Sequence, residues 1–155
     1  MKTNYLPPGY HHVTPYLIVG DAARAIEFYK QAFGGAELMR MGAPGGKVGH
    51  AEIQFGDSRV MLADEFPECD ARSPQTVGGT PVSLMLYVED VDAVVARALS
   101  LGAKVLKPIQ DQFYGDRSGT IADPFGHQWT IATHTEDVSQ AELERRAAAL
   151  FGGKS

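Results

Sequence analysis

The chain has 155 residues, a length that fits one domain or two small modules sharing a core. Hydrophobic residues make up 44% and charged residues 21% of it, as in ordinary globular proteins. A formal net charge of −5 without a basic run argues against nucleic acid and anionic membranes as partners. The single Cys69 excludes an internal disulfide, no apolar run approaches a membrane span, and MKTNYLPPGYHH lacks the apolar core of a signal peptide. We therefore expect a cytoplasmic protein with neither a nucleic-acid nor a membrane partner.

The first predicted elements lie in TPYLIVGDAARAIEFYKQAFGGAEL. Leu17 and Val19 share one face of a short strand, and Asp21 is placed to cap a helix. An apolar stripe at helical spacing follows and ends at a pair of glycines; its members are Ala22, Ile26, Tyr29 and Phe33. The segment VGHAEIQFGDSRVMLADE then predicts two strands joined at Gly56-Asp57.

The second half repeats this order in VSLMLYVEDVDAVVARALSLGAKVL. Leu86 and Val88 repeat the strand, and Asp90 repeats the cap. The repeated stripe ends at Gly102 and consists of Val91, Val94, Ala98 and Leu101. The segment SGTIADPFGHQWTIATH predicts two more strands, joined at residues 123–126.

With a strand after each helix, the two halves predict an α+β fold of two tandem βαβββ modules, whose mixed β-sheets curl around a cleft. We expect one domain over 11–134, with module 1 at about 11–64, a linker at 65–81 and module 2 at about 82–134. Residues 135–155 form a C-terminal helical extension that begins with a capping box at Ser139 and Glu142. We expect this helix to pack on the domain or on a partner subunit.

Four phrases in this order carry a family resemblance: FYKQAFGG, HAEIQFGDSRVMLADEFPE, YVEDVDAV and YGDRSGTIADPFGHQWTIATH. They resemble the vicinal oxygen chelate (VOC) superfamily, which includes glyoxalase I, extradiol dioxygenases, metallothiol fosfomycin-resistance enzymes and bleomycin-resistance proteins. The nearest likeness is to its PhnB-like glyoxalase/bleomycin-resistance branch, over residues 11–134. The resemblance implies the paired-module fold and a homodimer, but this fold hosts isomerases, lyases, dioxygenases and binding proteins.

The resemblance also implies where a divalent metal ion would bind. Family enzymes place His, Glu or Gln ligands on the first and last strands of each module. Counting from the capping aspartates and aligning the last strands puts those positions at Thr14, Met61, Ser83 and Thr130. None of the four is a usual ligand for such an ion, so we expect no metal at the usual site and no other cofactor.

Strand alternation predicts which side chains face the cavity instead. Ala51, Ile53 and Phe55 form the apolar set of HAEIQF, so the residues between them point away from the helix. The same rule on the other strands, with the YGDR loop, gives a mixed aromatic, thioether and polar lining suited to an amphiphilic organic ligand. The predicted cavity residues are Tyr16, Ile18, His50, Glu52, Gln54, Arg59, Met61, Met85, Tyr87, Tyr114, Gln128 and Thr130.

His50 and Glu52 are the candidate catalytic residues, because neighbouring imidazole and carboxyl groups on one strand face suit acid–base chemistry. The remaining polar groups of YGDRSGTIADPFGHQWTIATH are expected to be structural. Asp116 and Arg117 would pair to brace the loop, and His127 and His134 would bond backbone or water.

Three functions remain open on the sequence. The first is a small-molecule-binding protein of the glyoxalase/bleomycin-resistance type that is metal-independent at the usual VOC site. The second is an enzyme: a lyase, isomerase or dioxygenase with a displaced metal site, or an acid–base catalyst using His50 and Glu52. The third is a scaffold with a vestigial cavity. The four metal-ligand positions favour the first function over a metalloenzyme, and the sequence does not separate binding from metal-free catalysis.

Overall fold

A computed structural model describes residues 2–152 of the chain. The helices are α1 (Ala22–Phe33), α2 (Pro74–Val77), α3 (Val91–Ser100) and α4 (Gln140–Phe151), with 3₁₀ turns at Pro44–Gly46 and Pro67–Cys69. The strands are β1 (Tyr16–Val19), β2 (Ala36–Ala43), β3 (Lys47–Phe55), β4 (Ser58–Asp64), β5 (Ser83–Tyr87), β6 (Lys104–Asp111), β7 (Asp116–Ala122) and β8 (Gln128–His134). The order βαβββ therefore occurs twice, which confirms the predicted α+β fold. No helix among residues 2–152 combines the length and the apolar character needed to span a membrane.

The eight strands form two mixed, unclosed sheets with the strand orders β1-β4-β3-β2 and β5-β8-β7-β6. In each sheet the first strand of the module runs parallel to the last, and the other pairs are antiparallel. The registers also match, since Tyr16 lies beside Met61 just as Met85 lies beside Thr130. The two modules therefore share the same strand order and the same pairing of equivalent residues.

The chain divides into two compact units. The first comprises the residues up to Pro81 together with Pro124–His127, and the second comprises Val82–Asp123 together with the residues from Gln128 onward. The turn 124–127 belongs to the first unit because the Phe125 ring packs edge-on against Phe28 and the His127 Nε2 atom donates to the Ile18 carbonyl oxygen at 2.9 Å. The hairpin turn of the second module therefore contributes to the core of the first unit.

The two long module helices begin as the sequence predicts. The Asp21 carboxylate accepts from the Arg24 N–H, and the Asp90 carboxylate accepts from the Ala93 N–H, both at 3.1 Å. Two members of the predicted apolar stripe, Val94 and Leu101, are only half-buried. Val95 is buried whereas Val94 is only half-buried, because a helix that buries Val91 and Ala98 turns the position four residues after Val91 toward the sheet.

Strand β3 separates an apolar face from a polar one. Ala51 and Ile53 are fully buried and Phe55 nearly so, on the face against which α1 packs. His50, Glu52 and Gln54 therefore lie on the opposite face of the first sheet, which we call its helix-free face. The corresponding face of the second sheet carries Thr120 and Thr130, which are partners in the β7–β8 register.

A buried carboxylate fixes this arrangement. Asp64, at the end of β4, accepts hydrogen bonds at 2.7 Å from the backbone N–H groups of Ala22 and Val48. Ala22 opens α1 and Val48 lies in β3, so a single side chain joins the helix N-terminus to two strands. The N–H groups of a first helical turn have no partner inside the helix, and their partial positive charge favours an anion.

The segment 65–81 contains its own local structure. The Ser73 hydroxyl caps α2, and Glu65 Oε1 accepts from the Ser73 N–H at 2.6 Å. Hydrogen bonds from Thr76 and Ser73 lower the pKa of Glu65 to about 2, so this carboxylate stays charged. The segment is therefore held in place by side-chain caps together with the buried Pro74 at the start of α2.

The C-terminal helix α4 forms only half of the predicted capping box. The Ser139 hydroxyl accepts from the Glu142 N–H at 3.2 Å. The Glu142 carboxylate does not complete the box but binds the guanidinium groups of Arg145 and Arg146 at 2.7–2.9 Å. The charged pairs along the helix account for this difference, since an arginine one turn away is a stronger partner than a neutral amide.

Replacing Asp64 with alanine should lower the free energy of unfolding by about 3 kcal/mol, because two buried N–H groups lose their acceptor. Urea denaturation checks this value. The matched control is Asp57→Ala in the exposed β3–β4 turn, for which we expect a change within about 0.5 kcal/mol. A loss for Asp64→Ala no larger than for the control would contradict the bridging role.

Candidate functional site

The structure divides the predicted cavity residues between the two units. The first unit contains Tyr16, Ile18, His50, Glu52, Gln54, Arg59 and Met61. The second contains Met85, Tyr87, Tyr114, Gln128 and Thr130.

Three predicted residues form a hydrogen-bonded chain on the helix-free face of the first sheet. The Tyr16 hydroxyl lies 2.8 Å from His50 Nδ1, and His50 Nε2 lies 3.3 Å from Glu52 Oε1. The chain crosses Met61, which pairs in register with Tyr16 on one side and with Glu52 on the other. The register of β1, β3 and β4 thus brings a phenol, an imidazole and a carboxylate together above one thioether.

Residues 5–14, which we call the N-terminal arm, lie against this face. Arg59 donates from Nη1 to the Pro8 carbonyl oxygen and from Nε to Gln54 Oε1, both at 3.1 Å. The centre of its guanidinium lies 4.8 Å from the centroid of the Tyr10 ring, a cation–π contact. Gly9 has a φ of 80°, and a side chain there would collide with the same guanidinium. The N-terminal arm therefore packs closely against the guanidinium of Arg59.

Tyr10 is a site residue that sequence reasoning missed. Its hydroxyl is buried and makes no hydrogen bond of good geometry within residues 2–152, although it lies close to the Glu52 carboxylate. Tyr10 precedes every predicted element, so no periodicity includes it. The available signal was the turn-forming PPGY sequence, which places an aromatic ring directly after a reversal of the chain.

The electrostatics of this group favour a charged carboxylate and neutral phenols. The Tyr10 hydroxyl, followed by His50 and Arg59, lowers the pKa of Glu52 despite its partial burial. Burial and the nearby charge of Glu52 raise the pKa values of Tyr10 and Tyr16. A protonated Tyr16 donates to His50 Nδ1, which leaves the Nε2–H of His50 to donate to Glu52.

A cavity of about 300 Å³ lies between the N-terminal arm and Met61. It is lined by Tyr5, Leu6, Pro7, Tyr10, His11, His12, Thr14 and Met61. Aromatic rings, a thioether and imidazoles around one space suit an organic molecule with both apolar and polar parts. Tyr10 connects this cavity to the Glu52 group.

Comparison with known proteins places this geometry in a family. The model of the Glyoxalase/Bleomycin resistance protein/Dioxygenase superfamily matches residues 9–131. The chain belongs to this superfamily. An uncharacterised protein of Mycobacterium bovis is similar at 44% identity, over 91% of this chain and 95% of its own.

Two solved structures are similar to the chain. TioX from Micromonospora sp. ML1 has 28% identity and a TM-score of 0.61, over 80% of this chain and 98% of its own. An Arabidopsis thaliana gene product has 26% identity and a TM-score of 0.64, over 79% of this chain and 98% of its own. These likenesses support the paired-module architecture found here.

The four positions that the resemblance implies as metal ligands do not carry a suitable donor set. Thr14 and Met61 line the first-unit cavity, Ser83 is exposed at the start of β5, and the Thr130 hydroxyl lies 2.9 Å from that of Thr120. Within the described part of the chain, no group of three or more His, Cys, Asp or Glu side chains is arranged to hold a metal ion. A thioether and three hydroxyls do not fit a divalent ion that prefers imidazole and carboxylate.

A second polar group lies at the end of the second sheet. The buried Asp116 carboxylate accepts from the Tyr87 hydroxyl at 2.8 Å and lies 2.7 Å from His134 Nδ1. His134 Nε2 lies 2.8 Å from the Asp137 carboxylate. A carboxylate at each nitrogen favours the doubly protonated imidazole, in which both nitrogens donate.

This group corrects two expectations for the YGDR stretch. Asp116 and Arg117 do not pair, because successive residues of a strand point to opposite faces, and Arg117 instead binds Asp92 and Asp111. His134 is held by carboxylates rather than by backbone or water alone. The local sequence did not indicate this, since Asp116 and His134 meet only through the β7–β8 register.

The protonated state of His134 should make unfolding depend on pH. Hydrogen bonds to Asp116 and then Asp137 raise the pKa of His134 above 6.5 in the folded protein. Its stabilising effect is therefore fully present below pH 6.5 and is lost as the pH rises through the folded-state pKa. Urea denaturation at a series of pH values should show this loss, and His134→Gln should remove it. An NMR titration of His134 with a pKa at or below 6.5 would contradict the account.

Proposed function

We propose that the chain binds a small organic molecule on the helix-free face of its first sheet, without a metal at the usual VOC positions. We further propose that it belongs to the PhnB-like branch, which the four quoted phrases support. The observation that carries the binding proposal is the Tyr16–His50–Glu52 chain beside the cavity under the N-terminal arm.

The bonding of these groups supports binding over catalysis. Both nitrogens of His50 are engaged, and the Glu52 carboxylate faces both His50 and Tyr10. The lowered pKa of Glu52 makes this carboxylate a weaker base than an ordinary glutamate. A side chain held in this way presents a fixed polar surface to a ligand at little cost in conformational entropy.

Acid–base catalysis by His50 and Glu52 is the second candidate. The hydrogen-bonded chain favours it, because a phenol, an imidazole and a carboxylate in series can pass a proton between Tyr16 and Glu52. A ligand whose structure changes during incubation would establish this candidate, and its turnover would depend on His50.

Metal-free binding is supported by chemistry at the four family positions. Thr14, Met61, Ser83 and Thr130 offer hydroxyl and thioether groups, and Thr130 already bonds Thr120. We also propose a cytoplasmic location, because the exposed Cys69 has no cysteine partner in the chain and a reducing compartment keeps such thiols free. Cell fractionation tests the location.

We propose a homodimer as the assembly. Large apolar side chains are exposed on the helix-free faces of both sheets, among them Tyr16, Met41, Met85 and Tyr87. A patch of this kind on a monomer marks an interaction surface, and a two-fold pair of identical chains is the commonest assembly. A second copy would cover these side chains.

Glu52→Gln should weaken the binding of an organic ligand by about tenfold while leaving the fold intact, because the charged group that lies beside Tyr10 and accepts from His50 is lost. A thermal-shift screen of metabolites and antibiotics supplies the ligand, and calorimetry on each variant gives the affinity. The matched control is Glu27→Gln on the exposed side of α1, which should bind as the unaltered protein does.

A substitution on the buried face of β3 is the complementary control. Ile53→Asn should unfold the protein through an unsatisfied buried amide, which separates loss of fold from loss of binding. Unchanged affinity in Glu52→Gln would refute the binding role of this group. A screen in which no compound binds would instead favour the scaffold function.

The homodimer proposal predicts that light scattering gives twice the chain mass of 16.7 kDa. Met85→Lys should shift the protein toward the single-chain mass, because a charge in the covered patch costs desolvation. The single-chain mass for the unaltered protein across a wide concentration range would refute the dimer.

A further inference from the structure

A tight turn carries the contacts of the N-terminal arm with the first sheet. The Tyr10 N–H donates to the Pro7 carbonyl oxygen at 3.1 Å. Gly9, with a φ of 80°, follows Pro8, which is the order that a type II turn favours. The turn presents the Pro8 carbonyl oxygen and the Tyr10 ring to Arg59. The ring therefore reaches the helix-free face at the end of a preformed chain reversal.

Most of the arm is exposed to solvent. Residues 7–9 and 11–13 are all exposed, and Val13, close to the start of β1, is 86% exposed. The Tyr5 hydroxyl bonds His12 at 3.0 Å, a contact inside the arm that does not hold it to the sheet. Segments with few buried contacts lie at the low end of local stability. The arm can therefore detach while the strands beneath it stay folded.

The Tyr10 hydroxyl is poorly satisfied where it lies. It is buried without a hydrogen-bond partner of good geometry in residues 2–152, although the Glu52 carboxylate is close by. The same phenol, with His50 and Arg59, lowers the pKa of Glu52, so this carboxylate is charged and is a strong acceptor. A buried hydroxyl without a partner is costly. The tethered phenol thus leaves unused an acceptor that a free phenol can approach without the constraint of the turn.

The position of the Tyr10 side chain selects for an aromatic ring with a hydroxyl group. The Arg59 guanidinium lies 4.8 Å from the ring centroid, a contact that requires a π face. Gln54 Oε1 accepts from Arg59 Nε at 3.1 Å, so the guanidinium keeps a partner on β3 when the arm leaves. Glu52 lies beside the hydroxyl. Both groups that recognise the phenol therefore belong to the sheet rather than to the arm.

We propose that the N-terminal arm is a displaceable strap, and that Tyr10 occupies the position of an aromatic hydroxyl compound between Arg59 and Glu52. The proposal rests on the binding function proposed for the first unit and names the ligand class and its regulation. The compound replaces Tyr10, donates its hydroxyl to the Glu52 carboxylate and takes over the ring contact with Arg59. The space between the arm and Met61 then opens to the same face.

The strap lowers the affinity of the first unit for its ligand. A ligand that needs the open face binds only the fraction of molecules in which the arm is released, so its apparent affinity falls by that fraction. Removing the Tyr10 side chain removes this competition. The protein is therefore kept closed by its own side chain until a compound of matching chemistry is present.

The test uses p-cresol, which consists of the ring, the hydroxyl and the Cβ carbon of a tyrosine side chain. An NMR titration of the full chain follows the backbone amides of Glu52 and Met61. Tyr10→Ala should bind p-cresol at least about tenfold more tightly than the unaltered protein, because the competing side chain is gone. The matched control is Val13→Ala, an exposed truncation in the same arm, which should leave the affinity of the unaltered protein unchanged.

Two further measurements separate a strap from a fixed wall. As p-cresol saturates the unaltered protein, the heteronuclear NOE of the Gly9 and His11 amides should fall, since a released arm moves freely. Adding Glu52→Gln to Tyr10→Ala should weaken p-cresol binding by about tenfold and leave toluene binding unchanged, because only p-cresol has a hydroxyl to donate.

Three results would overturn the proposal: equal p-cresol affinity of Tyr10→Ala and the unaltered protein, no saturable binding of p-cresol to Tyr10→Ala at millimolar concentration, or binding to the unaltered protein with the NOE of the arm unchanged. The two proposals fail separately. A screened compound whose affinity depends on Glu52 while the arm stays in place overturns the strap and leaves the binding function standing. A screen without such a compound refutes the binding function, and the p-cresol titration decides the strap in either case.

Discussion

The carboxylate of Asp64 is the contact on which the rest of the first unit depends. It binds the first N–H of α1 and an N–H of β3, and its own backbone ends β4. These bonds hold β3 in a register that buries Ile53 beneath the helix. Because side chains alternate along a strand, the same register directs Glu52 to the opposite face. The buried carboxylate of Asp64 thus determines on which face the carboxylate of Glu52 lies.

The two βαβββ modules carry different side chains at equivalent positions. Glu52 and Met61 are register partners in the first sheet, and Thr120 and Thr130 are the equivalent partners in the second. The first pair lies within a network of charge and aromatic rings, whereas the second pair joins hydroxyls beside a lysine. One backbone frame therefore presents two unlike surfaces, which is how this superfamily supports many functions on one fold.

Periodicity and capping predicted most of the fold. The strand and helix order, the caps at Asp21 and Asp90, and the buried face of β3 followed from local patterns, because each depends on neighbours within a few residues. The polar groups around Tyr10 and His134 did not follow. Tyr10 reaches Glu52 through a chain reversal outside any periodic element, and His134 meets Asp116 through strand pairing. Alternation assigns a face to a side chain, but only tertiary contacts determine its partners.

The central claim is that the first unit binds an organic molecule through its helix-free face without a metal ion. The most direct test is a crystal structure of the protein with a ligand from the thermal-shift screen. The crystals are grown with divalent metals, and anomalous scattering is measured to locate any bound ion. The account predicts ligand density against Tyr16 and Glu52, and no anomalous peak of a bound ion beside Thr14 and Met61. An ion coordinated at Thr14 and Met61, or a ligand bound away from this face, would contradict it.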